Sequence, residues 1–334
     1  MKMPSRHAFI RSVGRYLPER RLTNKDLETM VNTTDEWIFS RTGIRERRIL
    51  EPGLGNSHMA IRAALDCLER GGVAPEEVDA IILGTVTPDM FYPSTACLVQ
   101  DGIGATHAWG FDLSAGCSGF IFSLTTGVQL IESGRHEKVL VIGSDVMSTI
   151  VDYEDRNTCV LFGDAAGAVL LEPCPEAGHG VLDFIHRIDG SGGKHLYMKA
   201  GGSRRPSSLE TVKNKEHYVY QEGQQVFKYA VKEMANVSAQ ILEKNGLTGD
   251  DVAFFLPHQA NLRIIEASAN RMGIDRSKVV INIEKYANTT AATVPLCLYD
   301  VLVEEKRVEK GDYLVMSSFG AGFTWGSVLI RWWE

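Results

Sequence analysis

One cysteine of this chain lies where a reactive thiol would be expected. The stretch "FDLSAGCSGFIFSL" places Cys117 among small residues, between an apolar strand pattern and a helix-like apolar run. The first turn of a helix has unpaired N–H groups and a positive end, so a thiol there is biased toward the thiolate. The small neighbours permit a tight turn and leave room for a substrate. Cys117 is therefore a candidate nucleophile, and a small buried hydrophobe is the alternative.

Two polar residues later in the chain could assist this thiol. The segment "FFLPHQANLRI" places His258 at the end of an apolar strand, and "KYANTTAATVP" places Asn288 on a turn. A histidine can donate a proton or a hydrogen bond near neutral pH, and an asparagine amide is a fixed donor without charge. A purely structural role for His258 is the alternative. Cys97 and Cys159 lack the glycine-flanked turn and are predicted only to pack.

Short apolar strand patterns alternate with longer helical patterns, which predicts an α/β fold. Four segments have apolar residues at spacings of three and four and predict helices: 58–72, 119–134, 222–246 and 261–273. Eight apolar runs predict strands: 78–86, 107–113, 138–146, 159–172, 251–259, 278–283, 312–320 and 326–332.

The chain also contains an internal repeat. "CLERGGVAPEEVDAIILG", from Cys67, aligns with "ILEKNGLTGDDVAFFLPH", from Ile241, at an offset of 174 residues. The same offset places "SAGCSG" on "NTTAAT" (288–293) and "LVIGS" (140–144) on "LVMSS" (314–318). We therefore expect two similar halves around a pseudo-twofold axis, with the turns of Cys117 and Asn288 facing each other. Chance similarity between two helix–strand units is the alternative.

Composition excludes several classes of protein. The net charge of -7 argues against a general nucleic-acid binder. The start, "MKMPSRHAFI", has too little apolar length for a signal segment, and no apolar run approaches a membrane span. We therefore predict a cytoplasmic protein with reduced thiols. The six cysteines lack the short paired spacings of a zinc site or a disulfide framework, and they are Cys67, Cys97, Cys117, Cys159, Cys174 and Cys297.

Seven segments follow one another from about Ile10 to Trp332: "TTDEWIFSRTGIRERR", "DLSAGCSGF", "FGDAAGAVLL", "EGQQVFKYAV", "PHQANLRI", "YANTTAATVP" and "SFGAGFTWGSVLIRW". In their order and spacing they together resemble one known family, the β-ketoacyl-[acyl carrier protein] synthases III, which initiate type II fatty acid synthesis. The resemblance implies a thiolase-like, five-layered αβαβα fold built from two pseudo-symmetric halves. Residues 1–175 would form the half with the nucleophilic cysteine, and 176–334 the half with the histidine and asparagine.

The resemblance also implies a reaction. Cys117, His258 and Asn288 match the family's catalytic triad. Cys117 would take the acyl group of an acyl-CoA, with the oxyanion held by the backbone N–H groups of Cys117 and Ala321. His258 and Asn288 would then stabilise the enolate that forms when malonyl-acyl carrier protein loses carbon dioxide. Acyl-CoA and malonyl-acyl carrier protein are substrates, and neither a cofactor nor a metal is expected.

Further residues match binding positions of the family. Those expected to contact CoA are Trp37, Arg41, Arg156, Gly223 and Asn261. A basic patch on two predicted helices, with Lys228, Arg263 and Arg271 at family positions and Lys232 nearby, would dock the acidic carrier protein; solvated surface cations are the alternative. Tyr92, with Phe91 beside it, would reach across a homodimer into the partner's acyl pocket.

Some positions depart from the family pattern. Ala287 and Ala321 stand where glycine is common, and alanine disfavours a positive φ. Gln221 stands where methionine is commoner. We expect these changes to tune the cavity while the triad is kept. The polar segment 198–221 is expected to form a flexible cover near the substrate mouth.

Several other functions compete with this one. A thiolase would need a second cysteine near the C-terminus, and none follows Cys297. An elongating synthase would have histidine where Asn288 stands. An acyltransferase or thioester hydrolase that does not condense, and a synthase of secondary metabolism, remain alternatives. A silent scaffold is disfavoured because all three triad residues are kept together.

Overall fold

The computed structural model describes residues 7–334. Met1–Arg6 therefore lies outside the described residues; it is the first part of "MKMPSRHAFI", whose apolar run is predicted to be too short for a signal segment. The strands are β1 Ala8–Tyr16, β2 Arg21–Thr23, β3 Glu46–Arg48, β4 Ala80–Gly84, β5 Trp109–Leu113, β6 Val139–Asp145, β7 Ala165–Pro173, β8 Gly180–Ile188, β9 Leu196–Met198, β10 Val219–Gln221, β11 Val252–Pro257, β12 Tyr313–Gly320 and β13 Thr324–Arg331. The α-helices are α1 Asn24–Glu28, α2 Asp35–Thr42, α3 Asn56–Gly71, α4 Thr95–Ile103, α5 Gly119–Glu132, α6 Arg156–Cys159, α7 Leu209–Lys213, α8 Gly223–Lys244, α9 Leu262–Met272, α10 Ile283–Tyr286 and α11 Thr293–Tyr299.

Two mixed sheets form the centre of the fold. The first has the strand order β1-β7-β6-β4-β5, with β4 parallel to both neighbours. The second has the order β11-β12-β13-β8, and only β11 and β12 are parallel. Every residue of β6 is buried, as expected for a strand covered on both faces.

Helices cover both faces of each sheet. Apolar side chains of α5 and α11 share one core with the inner faces of the two sheets. Helices α3 and α4 cover the outer face of the first sheet, and α8 and α9 cover that of the second. The order is therefore helix, sheet, helix, sheet, helix, which confirms the five-layered αβαβα prediction.

The repeat is visible in the element boundaries. An offset of 174 residues relates the first residue of β6 to that of β12, and the first residue of α5 to that of α11. The same offset relates two 3₁₀ turns, Gly116–Ser118 and Thr290–Ala292, which precede α5 and α11. The predicted boundary between residues 175 and 176 falls in the connection from β7 to β8, and the division into two domains stays a prediction.

One predicted strand is wrong. Segment 278–283 contributes a single bridge, between Phe255 and Val279, at the edge of the second sheet. The backbone N–H groups of Asn282 and Ile283 donate to the Gln259 side chain instead of to a neighbouring strand. The chain then turns into α10, so the second sheet keeps four strands where the first has five.

The other predicted elements are found, with shifted boundaries. The run 159–172 becomes a strand only at Ala165, because α6 precedes it and is capped by the Asp155 carboxylate. The polar segment 198–221 contains α7 and β10, and β10 pairs with β9. Within residues 7–334, no helix is both long and apolar enough to cross a membrane.

Candidate active site

Cys117 occupies the 3₁₀ turn between β5 and α5, where backbone from the second half lies against it. Gly116 has a φ of 56°, and a Cβ on it would lie 2.6 Å from the Ala321 backbone nitrogen. A Cβ on Gly320 would lie 2.4 Å from the Cys117 nitrogen. Real side chains do not tolerate such distances, so the glycines let the two turns meet at backbone contact.

The Cys117 thiol is 8% exposed. Burial, together with the nearby Asp145 carboxylate, raises its pKa to about 12, so the thiol is neutral in the free protein. The expected bias toward the thiolate is therefore wrong for the free site, because loss of solvation outweighs the effect of the helix end. Deprotonation has to accompany the reaction with substrate.

His258 follows the last residue of β11, and its backbone N–H donates to the Ser317 carbonyl at 2.8 Å. The side chain is buried, and burial lowers its pKa to about 3, so the imidazole is neutral. Nδ1 lies 2.7 Å from the Thr293 hydroxyl oxygen. Nε2 is buried and has no hydrogen-bond partner within the described part of the chain. It is therefore free to bond a ligand.

Asn288 is held on both sides of its backbone. Its N–H donates to Leu161 at 3.0 Å, and its carbonyl accepts from Gly163 at 3.1 Å. Its side-chain Oδ1 accepts the backbone N–H of Thr290 at 2.9 Å. The amide NH₂ group is thereby left as a donor for a ligand.

Ala287 and Ala321, which stand where the family commonly has glycine, differ in backbone conformation. Ala287 adopts φ 58° and ψ -157°, a conformation that favours glycine, directly before Asn288. Ala321 is not among the residues with positive φ. Of these two alanines, only Ala287 therefore has a strained backbone conformation. Gln221, the third departure, lines the cleft described next.

Cys117, His258 and Asn288 line one cleft of about 650 Å³, called here the main cleft. Trp37 and Arg41 also line it. Predicted binding residues along its length are Gly223, Asn261 and Arg263. The structure therefore brings eight of the predicted site residues together in a single cleft.

Cys117 also lines a second, smaller cavity, called here the apolar cavity. It measures about 170 Å³ and contacts both Cys117 and Ala321. Its remaining lining is mostly apolar: Val86, Gly116, Met147, Ile150, Phe162, Leu196, Tyr197, Met198, Val219 and Thr290. Cys117 thus lines both the main cleft and the apolar cavity.

Trp37 lines the main cleft and has a cation over its ring, the predicted CoA contact Arg156, which is not itself among the lining residues. The Arg156 guanidinium lies 4.8 Å from the centroid of Trp37 and donates to the Asn32 carbonyl at 2.9 Å. Asn261 caps α9 through Oδ1 and donates through Nδ2 to the Arg41 carbonyl at 2.8 Å. Its amide therefore already joins α9 to the last turn of α2.

The predicted docking residues are exposed, and none of them forms an ion pair with another residue between 7 and 334. Lys228 lies on α8, and Arg263 and Arg271 lie on the adjacent α9. The Arg263 guanidinium lies 4.7 Å from the Phe227 ring centroid. Lys232 differs from them because it pairs with Glu233 at 2.8 Å.

Phe91 and Tyr92 are 82% and 86% exposed, in the connection from β4 to α4. Neither lines the main cleft or the apolar cavity of its own chain.

Sequence reasoning missed three residues that support the site: Asp145, Thr290 and Thr293. Asp145 is fully buried at the end of β6 and accepts the Thr290 hydroxyl hydrogen. The sequence did contain a signal for Asp145, because it is a single acidic residue directly after the apolar run "LVIGS". The pairing of Thr293 with His258 had no such signal, because it joins positions 35 residues apart.

Comparison with known proteins identifies the relatives of this chain. Residues 111–190 match the family described as 3-oxoacyl-[acyl-carrier-protein] synthase III, and residues 242–332 match its C-terminal part. A β-ketoacyl-[acyl-carrier-protein] synthase III of Koribacter versatilis is 55% identical over 328 residues, covering 98% of each chain. The chain belongs to the β-ketoacyl-[acyl-carrier-protein] synthase III family.

Solved structures agree with this membership in the synthase III family. The 3-oxoacyl-[acyl-carrier-protein] synthase III of Aquifex aeolicus matches with a TM-score of 0.89 and 42% identity, covering 97% of this chain and 100% of that one. The priming β-ketosynthase of the R1128 polyketide pathway matches with a TM-score of 0.90 and 35% identity, covering 100% and 99%. The predicted family, the thiolase-like fold and the class of condensing acyltransferase are confirmed.

Proposed function

We propose that this protein condenses an acyl-CoA primer with malonyl-acyl carrier protein and so starts type II fatty acid chains. One observation carries the proposal: Cys117 lines both the main cleft, which Trp37 and Arg41 also line, and the small apolar cavity. The main cleft suits the CoA arm and the apolar cavity suits an acyl group.

In the first half-reaction the Cys117 sulfur attacks the thioester carbonyl of the acyl-CoA. The N–H groups of Cys117 and Ala321 hold the oxyanion, and the meeting of their two turns at backbone contact supports this role. The C–S bond to CoA then breaks, and the thiol proton of Cys117 ends on the CoA sulfur. Because the pKa of the thiol is raised to about 12, this proton leaves during the attack and not before it.

In the second half-reaction malonyl-acyl carrier protein loses carbon dioxide and becomes a thioester enolate. His258 Nε2 and the Asn288 amide line the cleft beside Cys117 and donate hydrogen bonds to the enolate oxygen. The enolate carbon attacks the acyl-cysteine carbonyl, and Cys117 leaves and regains a proton. Two neutral donors suffice for this step, so we propose no metal or cofactor.

Trp37, Arg41 and Arg156 would bind the nucleotide end of CoA. Trp37 and Arg156 already form a cation–π pair, which suits an adenine, and Arg41 can pair with a phosphate. Gly223 and Asn261 line the path of the pantetheine arm. Lys228, Arg263 and Arg271 would dock the acidic carrier protein, and their lack of ion-pair partners within residues 7–334 supports this role.

We propose a homodimer in the cytoplasm. The outer edge of β5 has no neighbouring strand within the described residues, and an open strand edge can pair with a second copy. Phe91 and Tyr92 project as two exposed aromatic side chains, as expected if they enter the acyl cavity of a partner.

Priming of a polyketide chain is a second candidate, favoured by the similarity to the R1128 priming synthase. Priming of a fatty acid chain and priming of a polyketide chain use the same condensation chemistry. They differ in the carrier protein that supplies the malonyl group. Rates with malonyl groups on a fatty acid carrier and on a polyketide carrier, at equal concentration, decide between them.

The test of the main proposal uses both half-reactions. The protein is incubated with a panel of acyl-CoAs, the mass added to Cys117 is measured, and malonyl-acyl carrier protein is then supplied. We expect an adduct that disappears as a β-ketoacyl product forms. The Cys117→Ala variant should form neither, whereas Cys97→Ser, which changes an exposed thiol, should form both. An adduct that is only hydrolysed would overturn the proposal.

A further inference from the structure

The tautomer of His258 decides what this residue can do. A neutral imidazole has one N–H donor and one bare acceptor nitrogen. Because Nε2 lacks a partner within the described residues, the tautomer depends on the group that faces Nδ1. That group is the Thr293 hydroxyl, at 2.7 Å.

The Thr293 hydroxyl has one hydrogen and two acceptors within reach. These are His258 Nδ1, at 2.7 Å, and the Thr290 carbonyl, at 3.1 Å. The Thr290 carbonyl already accepts the backbone N–H of Thr293. The contact to Nδ1 is the shorter one, and the Thr290 carbonyl already has a donor, which favours a hydroxyl that donates to Nδ1. The reverse arrangement, in which Nδ1–H donates to the hydroxyl and the hydroxyl to the Thr290 carbonyl, is the alternative that the experiment below tests.

We propose that Thr293 is a positioning residue that holds His258 with its hydrogen on Nε2, as a donor for the condensation step. This inference rests on the proposed function. Thr293 donates to Nδ1, so Nε2–H points into the main cleft beside the Asn288 amide. Without that hydroxyl, the imidazole can also place its hydrogen on Nδ1 and present a bare Nε2.

The same turn orients the second donor. The Thr290 N–H fixes Asn288 Oδ1 at 2.9 Å, which leaves the amide NH₂ for the ligand. Thr290 itself has a φ of 51°, and its hydroxyl donates to the Asp145 carboxylate. Asp145 also accepts the Ala291 N–H at 3.2 Å. One short turn, anchored on a buried carboxylate of the other half, thus presents two N–H donors to one cleft.

A helix-stabilising role is the competing explanation, since threonine hydroxyls often bond a carbonyl one turn back. Thr126 offers a matched control, because its hydroxyl donates to the Phe122 carbonyl at 2.7 Å in α5. The variants are Thr293→Val, Thr293→Ser and Thr126→Val. Acylation of Cys117 and condensation of the isolated acyl-enzyme are each measured in a single turnover.

We expect Thr293→Val to acylate within about twofold of wild type and to condense roughly 10- to 100-fold more slowly. This is less than the roughly 100- to 1000-fold cost of removing an oxyanion donor, because the imidazole stays in place and only its tautomer is released. Thr293→Ser should restore condensation to within about threefold, and Thr126→Val should change neither step. In ¹⁵N NMR, with the His258 signals assigned by their loss in His258→Ala, wild type and Thr293→Ser should show a protonated Nε2 and a bare Nδ1.

A wild-type spectrum with the hydrogen on Nδ1 would overturn the proposal, and so would unchanged condensation in Thr293→Val. The NMR result does not depend on turnover and stands even if Thr293→Val fails to fold. Failure of the proposed function would look different, because wild type itself would then form no condensed product.

Discussion

Gly116 and Ala321 approach so closely that a Cβ on Gly116 would lie 2.6 Å from the Ala321 nitrogen. The two residues come from different halves of the chain and meet beside Cys117. The oxyanion hole proposed here therefore forms only where the halves pack together. A single methyl group on Gly116 would displace the backbone that forms it.

Gly116→Ala should abolish this contact. The new Cβ has to displace the Ala321 backbone, so we expect acylation to fall at least about 100-fold, as for a lost oxyanion donor. Gly72→Ala is the control, because Gly72 has a similar φ of 64° and a Cβ added there would meet open space. Both variants should lose about 1 kcal/mol or more of unfolding free energy in urea. Wild-type acylation in Gly116→Ala would contradict the assignment.

Ala287→Gly should stabilise the protein. The φ of 58° and ψ of -157° are strained for alanine, and glycine removes about 1 kcal/mol or more of that strain. Urea unfolding measures the gain. Ala321→Gly is the matched change, and it should give no gain, because this residue is not in a positive-φ conformation and glycine adds entropy to the unfolded chain. Equal effects at the two positions would contradict this explanation.

The pH dependence of Cys117 alkylation tests its burial. Only the thiolate reacts, so with a pKa of about 12 the rate constant with iodoacetamide should rise about tenfold per pH unit from pH 7 to pH 10. It should not level off in that range. The Cys117→Ser variant supplies the background from the other thiols. A plateau near neutral pH would mean that the free site holds a thiolate.

Loss of the proposed docking patch should weaken the reaction with malonyl-acyl carrier protein and leave the reaction with acyl-CoA nearly unchanged. Neutralising Lys228, Arg263 and Arg271 to glutamine should raise KM for malonyl-acyl carrier protein roughly 10- to 100-fold, since each exposed charge pair contributes about 0.5–1 kcal/mol. The effect should shrink at high salt. Acylation by acyl-CoA should stay within about threefold. Lys244→Gln, near the other end of α8, is the control; an equal rise there would argue against a local patch.

Much of this fold could be predicted from the sequence because its signals are local. Apolar periodicity located β6, α8 and α9, and the repeat located the turn of Asn288 opposite that of Cys117. The periodicity of 278–283 predicted a strand, but the Gln259 side chain satisfies the backbone there. No local pattern reports a long-range side-chain contact of this kind.

The sequence predicted residues that line one cleft, but it did not predict the electrostatics of that cleft. The positive end of the following helix led us to predict a thiolate at Cys117. Burial has the larger effect on the pKa of this thiol and keeps it neutral. The unsatisfied Nε2 of His258 and its pairing with Thr293 depend on packing between distant segments. Glycine preferences did indicate the strain at Ala287, because positive φ is a property of the backbone turn itself.

A single-turnover comparison of wild type with His258→Ala tests the central claim most directly. Both proteins are first acylated at Cys117 by acyl-CoA, and malonyl-acyl carrier protein is then added while adduct and β-ketoacyl product are followed by mass. Because His258 is proposed to donate to the enolate while it is neutral, we expect similar acylation rates and condensation at least about 100-fold slower in His258→Ala. Equal loss of both half-reactions would contradict this division of roles.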